Sequence, residues 1–229
     1  MASQDDSPSQ ESETEPLKLV ETPVEAVAEV VTSVRSAWQD LRSIPIGYRA
    51  SQLRSLRKMI KDNITRFEEA VWKDLRKSRQ EFTMGEINLI LTDISYALTN
   101  LQKWSSPRNA QKDLVHQFDK MYLMPEPYGT VLIIAPWNYP IGLLLEPLIG
   151  AIAAGNACVL KPSELSVATS NLMSELVPQY LDKDLYQVVT GGVGVATELL
   201  RQRFDYIFFT GSTAVGKIIM RCAAEHLTP

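Results

Sequence analysis

Residues 128–164 constrain the fold of this chain more than any other stretch of its sequence. An apolar run at 130–135 stops at a proline, a second apolar stretch fills about 140–154, and a third, short run follows at 157–160. These lengths, and the glycines and prolines between them, predict a buried strand, a helix and a second buried strand. Two strands joined in this way by a helix pair in parallel.

Three polar side chains follow the two predicted strands. Asn138 comes soon after the first strand, and Lys161 and Glu164 come at the end of the second. Because ligands of open α/β sheets bind at the carboxyl ends of parallel strands, we expect these side chains to share one rim of the sheet. The sequence therefore predicts a cofactor site at that rim.

The alternation of strands and helices continues to residue 229. It predicts a helix at 166–180, a strand at 186–189, a glycine-rich turn that opens a short helix, a strand at 205–209 and a last helix to about residue 226. Strands that alternate with helices form parallel sheets with right-handed crossovers. Residues 128–229 are therefore predicted to be βα units of an α/β fold of the nucleotide-binding type.

Residues 23–105 carry a helical pattern instead. Apolar residues recur at helical spacing in three places and predict one helix at about 24–41, a long second helix over 53–75 and a third over 87–101. This helical part is expected to pack against the sheet.

Two further segments lack a helical pattern. Residues 1–22 are rich in acidic and serine residues with little to bury, and we predict that they form a disordered tail. Residues 111–127 end in two prolines, at positions 125 and 127, and we predict an extended arm there.

Composition excludes several classes of function. The net charge of −4 argues against nucleic acid as the main partner, because phosphate binding needs a basic surface. The two cysteines cannot build a disulfide framework, and no cluster has the spacing of metal ligands. The first residues resemble neither a secretory signal nor a transit peptide, so a cytoplasmic location is expected. Prolines and glycines interrupt the apolar stretch 131–160, so no membrane segment is predicted.

A second glycine-rich turn follows the strand predicted at 205–209, and a helix follows the turn. Free N–H groups at a helix N-terminus favour phosphate or pyrophosphate, so the turn is a candidate for binding the phosphates of a cofactor. The candidate residues are Gly211, Ser212, Thr213, Ala214, Val215 and Gly216.

Two other interpretations of this turn remain open. Gly211 to Lys217 matches the first part of a P-loop, but Ile218 stands where a magnesium-binding Ser or Thr is needed. The turn can also be a plain connection between a strand and a helix. The usual dinucleotide fingerprint is absent, because Thr197 stands where it needs Gly or Ala after Gly192 and Gly194.

The polar candidates also have ordinary alternatives. From its spacing alone, Asn138 is favoured as the N-cap of the helix that starts near Pro140, although a rigid amide there can also donate to a developing oxyanion. Lys161 and Glu164 can bind ribose hydroxyls or phosphate, or be solvated loop charges. Cys158 and Cys222 lie in apolar surroundings and are predicted to pack rather than to react, so no nucleophile is evident.

Several motifs together resemble the aldehyde dehydrogenases. They are Pro136-Trp-Asn-Tyr-Pro140, Gly150-Ala-Ile-Ala-Ala-Gly-Asn156, Leu160-Lys-Pro-Ser-Glu164 and Phe209-Thr-Gly-Ser-Thr-Ala-Val-Gly-Lys217. The segments 179–186 and 223–229 are most similar to the class 3, fatty-aldehyde branch. The resemblance covers roughly residues 25–229.

This resemblance implies a variant Rossmann-like sheet, an NAD or NADP cofactor, and oxidation of an aldehyde, by family analogy of medium or long chain, to a carboxylic acid. It implies that Asn138 holds the oxyanion and that Trp137 lines the cofactor pocket. Lys161 and Glu164 would bind the adenosine ribose, and the loop from Gly211 to Gly216 would lie along the phosphates. The arm 111–127 would serve oligomerisation, with a homodimer expected for the intact enzyme.

The chain also departs from the family pattern. The Glu-Leu-Gly-Gly motif with the family's general base is not in the sequence, and neither cysteine falls at the nucleophile's motif. We therefore expect residues 23–229 to be an NAD(P)-binding domain without the catalytic domain, and the chain itself to be inactive. A non-catalytic interaction module that pairs with a full-length subunit is the alternative.

Overall fold

Residues 17–229 are described by a computed structural model, in which helices come first along the chain and a parallel sheet follows. The helices of the first half are α1 (Val27–Gln39), which follows a 3₁₀ turn at Val24–Ala26, α2 (Ile46–Asp62), α3 (Ile64–Leu75), α4 (Arg79–Phe82) and α5 (Asn88–Ser105), with a π-helical turn at Thr83–Ile87 before α5. Their apolar faces are buried in one core with the sheet. The predicted helical part is therefore present.

The prediction of one long helix over 53–75 is wrong, because two helices, α2 and α3, occupy this stretch. The chain leaves helical geometry at Asn63, between α2 and α3. The side-chain amide of Asn63 donates to the carbonyl of Met59 (3.0 Å) and to the hydroxyl of Tyr180 (3.1 Å). The break thus depends on a residue that is distant in sequence. The short α4 and the π-helical turn were not predicted either.

The arm at 111–127 is extended only in part. Strand β1 (Arg108–Asn109) pairs antiparallel with β2 (Tyr122–Leu123). A turn occupies 115–118 between them, where the sequence predicted extended chain. The carboxylate of Asp113 explains it, because its Oδ1 accepts the backbone N–H of His116 at 2.9 Å and starts a turn.

The central sheet consists of four parallel strands in the order β5-β4-β3-β6. Its strands and the helices that follow them are β3 (Thr130–Ile134), α6 (Gly142–Ala154), β4 (Ala157–Lys161), α7 (Val167–Tyr180), β5 (Tyr186–Val188), α8 (Val193–Arg201), β6 (Tyr206–Phe209) and α9 (Thr213–Ala224). Each lies close to its predicted position, and the α/β class is confirmed. Strands β3 and β4 are buried along their whole length, as parallel strands covered by helices must be.

The turn between α6 and β4 fixes how these elements meet. Gly155 ends α6 with a left-handed φ of +89°, and a Cβ there would lie 3.0 Å from the guanidinium of Arg49. Arg49 is buried and donates to the carbonyl of Ala153 at 3.1 Å. The next residue, Asn156, accepts the N–H of Gly129 at 2.9 Å, just before β3 begins. A short polar turn therefore aligns the starts of β3 and β4.

The chain before α1 is also held in place. The N–H of Val20 donates to the side chain of Asn171 (2.9 Å), and the N–H of Thr22 donates to the carbonyl of Thr190 (2.8 Å). The disorder predicted for 1–22 is therefore wrong for residues 17–22, and the rest of that segment lies outside the described residues. No helix within residues 17–229 is long and apolar enough to cross a membrane.

Asp205 tests the connection between the helical part and the sheet. Its carboxylate accepts the N–H of Thr130 at 2.8 Å and the guanidinium of Arg35 at 3.0 Å. We expect Asp205→Ala to lower the free energy of unfolding by about 2–3 kcal/mol, because it leaves a buried N–H without a partner. Glu175→Ala, which removes an exposed ion pair with Arg66, should cost less than about 1 kcal/mol in the same urea titration. Equal losses would contradict this account.

Candidate cofactor site

A cavity lies at the carboxyl edge of the sheet. The last residue of β3, Ile134, stands opposite Lys161 of β4 and Phe209 of β6. The chain segments that leave these three strands therefore start side by side. Together with the start of α8 they enclose a cavity of about 740 Å³.

Most of the residues predicted for this site line that cavity. The residues brought together are Trp137, Asn138, Lys161, Glu164, Gly211, Ser212 and Val215. Three others, Thr213, Ala214 and Gly216, belong to the first turn of α9 but do not line the cavity. The rim predicted from the strand ends is thus a real surface, formed by segments far apart in sequence.

Asn138 is not the helix cap that its spacing favoured. Helix α6 begins later, at Gly142, and the side chain of the preceding residue, Ile141, does not cap the helix. The carboxylate of Glu86 takes that place by accepting the N–H groups of Ile141 (3.0 Å) and Gly142 (2.8 Å). The Asn138 side chain is exposed at the cavity instead. It is therefore in a position to donate to a bound molecule.

Lys161 and Glu164 form an ion pair at the cavity wall. The Nζ of Lys161 donates to Oε2 of Glu164 at 2.9 Å, and the lysine side chain is only 5% exposed. Burial acts to raise the pKa of Glu164, but the hydrogen bond from Lys161, a backbone hydrogen bond and the positive charge of Lys161 together outweigh it and hold that pKa below its ordinary value. The pair is pre-oriented at the cavity, and because Lys161 is buried the alternative of two solvated loop charges fails for it.

The turn before α9 lines the cavity and packs closely against the ring of Phe209. A Cβ at Gly211 would lie 2.4 Å from the ring of Phe209, so only glycine fits there. Ser212 is the N-cap of α9, and its Oγ accepts the N–H of Val215 at 3.3 Å. The Lys217 required by a P-loop lies further along α9 and does not line the cavity. The site thus lacks two elements of a P-loop, the lysine and the metal-binding hydroxyl.

Sequence reasoning missed several contributors to the site. Gly192 and Val193, at the start of α8, line the cavity and add a second helix N-terminus. The glycine-rich turn that contains these residues is evident in the sequence, but it does not complete the dinucleotide fingerprint and so was not assigned to the cofactor site. Ser166, which donates to the carbonyl of Trp137 at 3.0 Å, gave no signal because its partner is far away in sequence.

Neither cysteine contributes to the cavity. Cys158 is fully buried in β4, and burial raises the pKa of its thiol far above the ordinary value. Cys222 lies in α9, and neither residue lines the cavity. Across residues 17–229, no group of three His, Cys, Asp or Glu side chains could hold a metal ion.

These features define a class of protein. A parallel sheet whose carboxyl edge holds a cavity, with two helix N-termini and a hydrogen-bonded Lys-Glu pair at its walls, is typical of nucleotide cofactor-binding α/β proteins.

Comparison with known proteins identifies the family. Residues 7–229 match the model of the aldehyde dehydrogenase family, and the chain belongs to that family. It is 50% identical over 199 residues to aldehyde dehydrogenase family 3 member A2 of Rattus norvegicus, which covers 87% of this chain and 41% of that protein. It is 45% identical over 203 residues to the dimeric NADP-preferring aldehyde dehydrogenase of Canis lupus familiaris. That match covers 89% of this chain and 45% of the dog protein.

A solved structure gives the same result for the fold. The substrate-bound AldH of Staphylococcus aureus superposes with a TM-score of 0.87 at 38% identity, over 91% of this chain and 45% of that one. The family and fold predicted from the motifs are thereby confirmed. The chain spans less than half the length of each of these three proteins.

The cysteines offer a test of the site as described. In the folded chain we expect a thiol reagent to modify Cys222 readily and Cys158 hardly at all, because a buried neutral thiol does not form the reactive thiolate. Mass spectrometry of alkylated peptides measures both, and Cys222→Ser should abolish the fast phase. Rapid labelling of Cys158 without unfolding would contradict its buried position.

Proposed function

We propose that this chain is the cofactor-binding part of an NAD(P)-dependent aldehyde dehydrogenase, which oxidises aldehydes to carboxylic acids. The observation that carries the proposal is the convergence of Trp137, Asn138, Lys161, Glu164 and the Gly211 turn on one cavity. The similarity of segments 179–186 and 223–229 to the fatty-aldehyde branch supports aliphatic aldehydes of medium or long chain.

The cavity residues fit a nicotinamide dinucleotide. A volume of about 740 Å³ suits a ligand of this size, since ligand pockets span roughly 300–1,000 Å³. The N-termini of α8 and α9 offer N–H groups to a diphosphate, and Gly211 lines the cavity beside them. Lys161 and Glu164 would bind the ribose hydroxyls. When bound, the cofactor supplies the acceptor for the hydride of the aldehyde.

Either form of the cofactor suits this wall. The carboxylate of Glu164 can accept hydrogen bonds from a ribose 2′-hydroxyl, and the ammonium of Lys161 can pair with a 2′-phosphate. A relative described as NADP-preferring supports the same pair of cofactors. We therefore propose NAD or NADP.

Asn138 would act on the substrate. Its side-chain amide lies at the cavity and would donate a hydrogen bond to the oxyanion that develops on the aldehyde carbon's oxygen. Removal of one such donor typically costs about 2.7–4 kcal/mol of transition-state stabilisation. We infer that the attacking thiolate comes from outside this chain, because neither Cys158 nor Cys222 lines the cavity.

A second candidate function rests on the arm. Three of its apolar side chains, Leu114, Val115 and Phe118, are 82–91% exposed, which suits a surface that another subunit covers. The chain could thus serve as a non-catalytic module that pairs with a full-length subunit.

For the intact enzyme we propose a homodimer in the cytoplasm, with aldehyde as substrate and no nucleic acid partner, in keeping with the net charge of −4.

Cofactor titration tests the proposal. We expect the fluorescence of NADPH or NADH to change on binding, with a dissociation constant weaker than about 1 µM, equivalent to less than about 8 kcal/mol. Lys161→Met should weaken binding at least about tenfold by loss of a charge-assisted hydrogen bond. Lys58→Met, which removes an exposed ion pair on α2, is the matched control and should bind like the parent chain. No binding by the parent chain would sink the proposal and favour the interaction module.

Activity provides a separate test. The purified chain should not reduce NAD or NADP with a long-chain aldehyde, because Cys158 is buried and Cys222 does not line the cavity. The assay follows absorbance of the reduced cofactor over hours at high protein concentration. Turnover by the chain alone would show that it holds its own nucleophile, and it would refute the inference that the attacking thiolate comes from outside this chain.

A further inference from the structure

A buried ion pair lies beneath the loop that carries Asn138. Glu86 is 0% exposed and belongs to the π-helical turn Thr83–Ile87. Its Oε2 accepts the N–H groups of Ile141 and Gly142, at 3.0 and 2.8 Å. These amides stand at the start of α6, where N–H groups have no partner within the helix and the helix dipole favours a negative charge.

Lys77 completes the pair and contacts the same loop. Its Nζ donates to Oε1 of Glu86 at 3.1 Å and to the backbone carbonyl of Asn138 at 2.6 Å. The same ammonium lies 3.7 Å from the ring centroid of Tyr139, a favourable cation–π distance. The lysine side chain is 11% exposed. The ammonium of Lys77 therefore contacts Asn138 and Tyr139 of the loop. Its partner Glu86 binds the backbone two residues further on, at the start of α6.

The loop is also anchored on its other side. The hydroxyl of Ser166 donates to the carbonyl of Trp137 at 3.0 Å. The backbone carbonyls of Trp137 and Asn138 are thus both bound to side chains from other elements. The side chain of Asn138 makes none of these contacts and remains exposed at the cavity.

We propose that Lys77 and Glu86 are positioning residues that fix the side-chain amide of Asn138 for its hydrogen bond to the substrate. The inference rests on the proposed oxyanion role of Asn138. A donor stabilises a developing charge only when its position is set before reaction, within about 0.5 Å of the productive geometry. An exposed asparagine on a loop meets that condition only if its backbone is fixed, and the Lys77–Glu86 pair fixes it.

The side-chain amide signals of Asn138 in the NMR spectrum of the full chain test this directly. The parent chain should give one sharp pair of resonances. Lys77→Met and Glu86→Gln should broaden or double that pair, and the amide hydrogens of Ile141 and Gly142 should exchange about tenfold faster or more. Lys77→Arg keeps the charge and the donors and should restore a single pair. Lys58→Met, which removes an exposed ion pair, should leave all these signals unchanged.

The outcomes separate this inference from the proposed function. Because neither Lys77 nor Glu86 lines the cavity, NADPH affinity should change less than about threefold in the same variants. Failure of the parent chain to bind NADPH refutes the proposed function and leaves the NMR result standing. An unchanged Asn138 pair in folded Lys77→Met and Glu86→Gln overturns the positioning role. Loss of native circular dichroism in both variants, with no rescue by Lys77→Arg, also overturns it in favour of general stability.

Discussion

Parallel pairing of β3 with strands on both of its sides is the constraint on which the rest of the structure depends. Ile134 stands between Lys161 and Phe209, so three strand ends lie in line. In a parallel sheet every crossover must return to the opposite edge, which brings all the loops that follow the strands to one side. Residues separated by more than seventy positions in sequence, such as Trp137 and Ser212, therefore line one cavity. No local preference could produce that convergence without the register of the sheet.

The helical first half controls which helix N-termini at this edge can bind a ligand. The carboxylate of Asp74 accepts the N–H groups of Ala168 and Thr169, both at 2.8 Å, at the start of α7, as that of Glu86 does for α6. Two of the four helix N-termini that follow the strands are thus occupied by buried or half-buried protein carboxylates. Among residues 17–229, no such carboxylate caps the N-termini of α8 and α9, which border the cavity. The helices before the sheet therefore do more than cover it, because their carboxylates cap the N-termini of α6 and α7.

The sequence predicted what depends on short-range pattern. Strands β3 and β4 were found because each is an uninterrupted apolar run bounded by glycine, asparagine or proline, and Lys161 was found because it ends such a run. The break at Asn63 could not be found, since its amide binds Tyr180, which is distant in the chain. Glu86 had no signal for the same reason. In sequence it resembles any acidic residue on an exposed helix face, and only the packing of the π-helical turn Thr83–Ile87 against α6 reveals it as a helix cap.

The cavity has an open, apolar side, so the polar side chains at its rim must be held in position by other residues of the chain. Val215 and Ile218 line the cavity yet remain 45% and 53% exposed. A ligand held against one wall loses much of the burial on which affinity depends, so the polar groups at the rim must carry most of its binding. Those groups are useful only if the chain holds them still. Lys161 is held by Glu164, Trp137 by Ser166, and Asn138 by the Lys77–Glu86 pair, so contacts within residues 77–166 set the positions of these three rim residues.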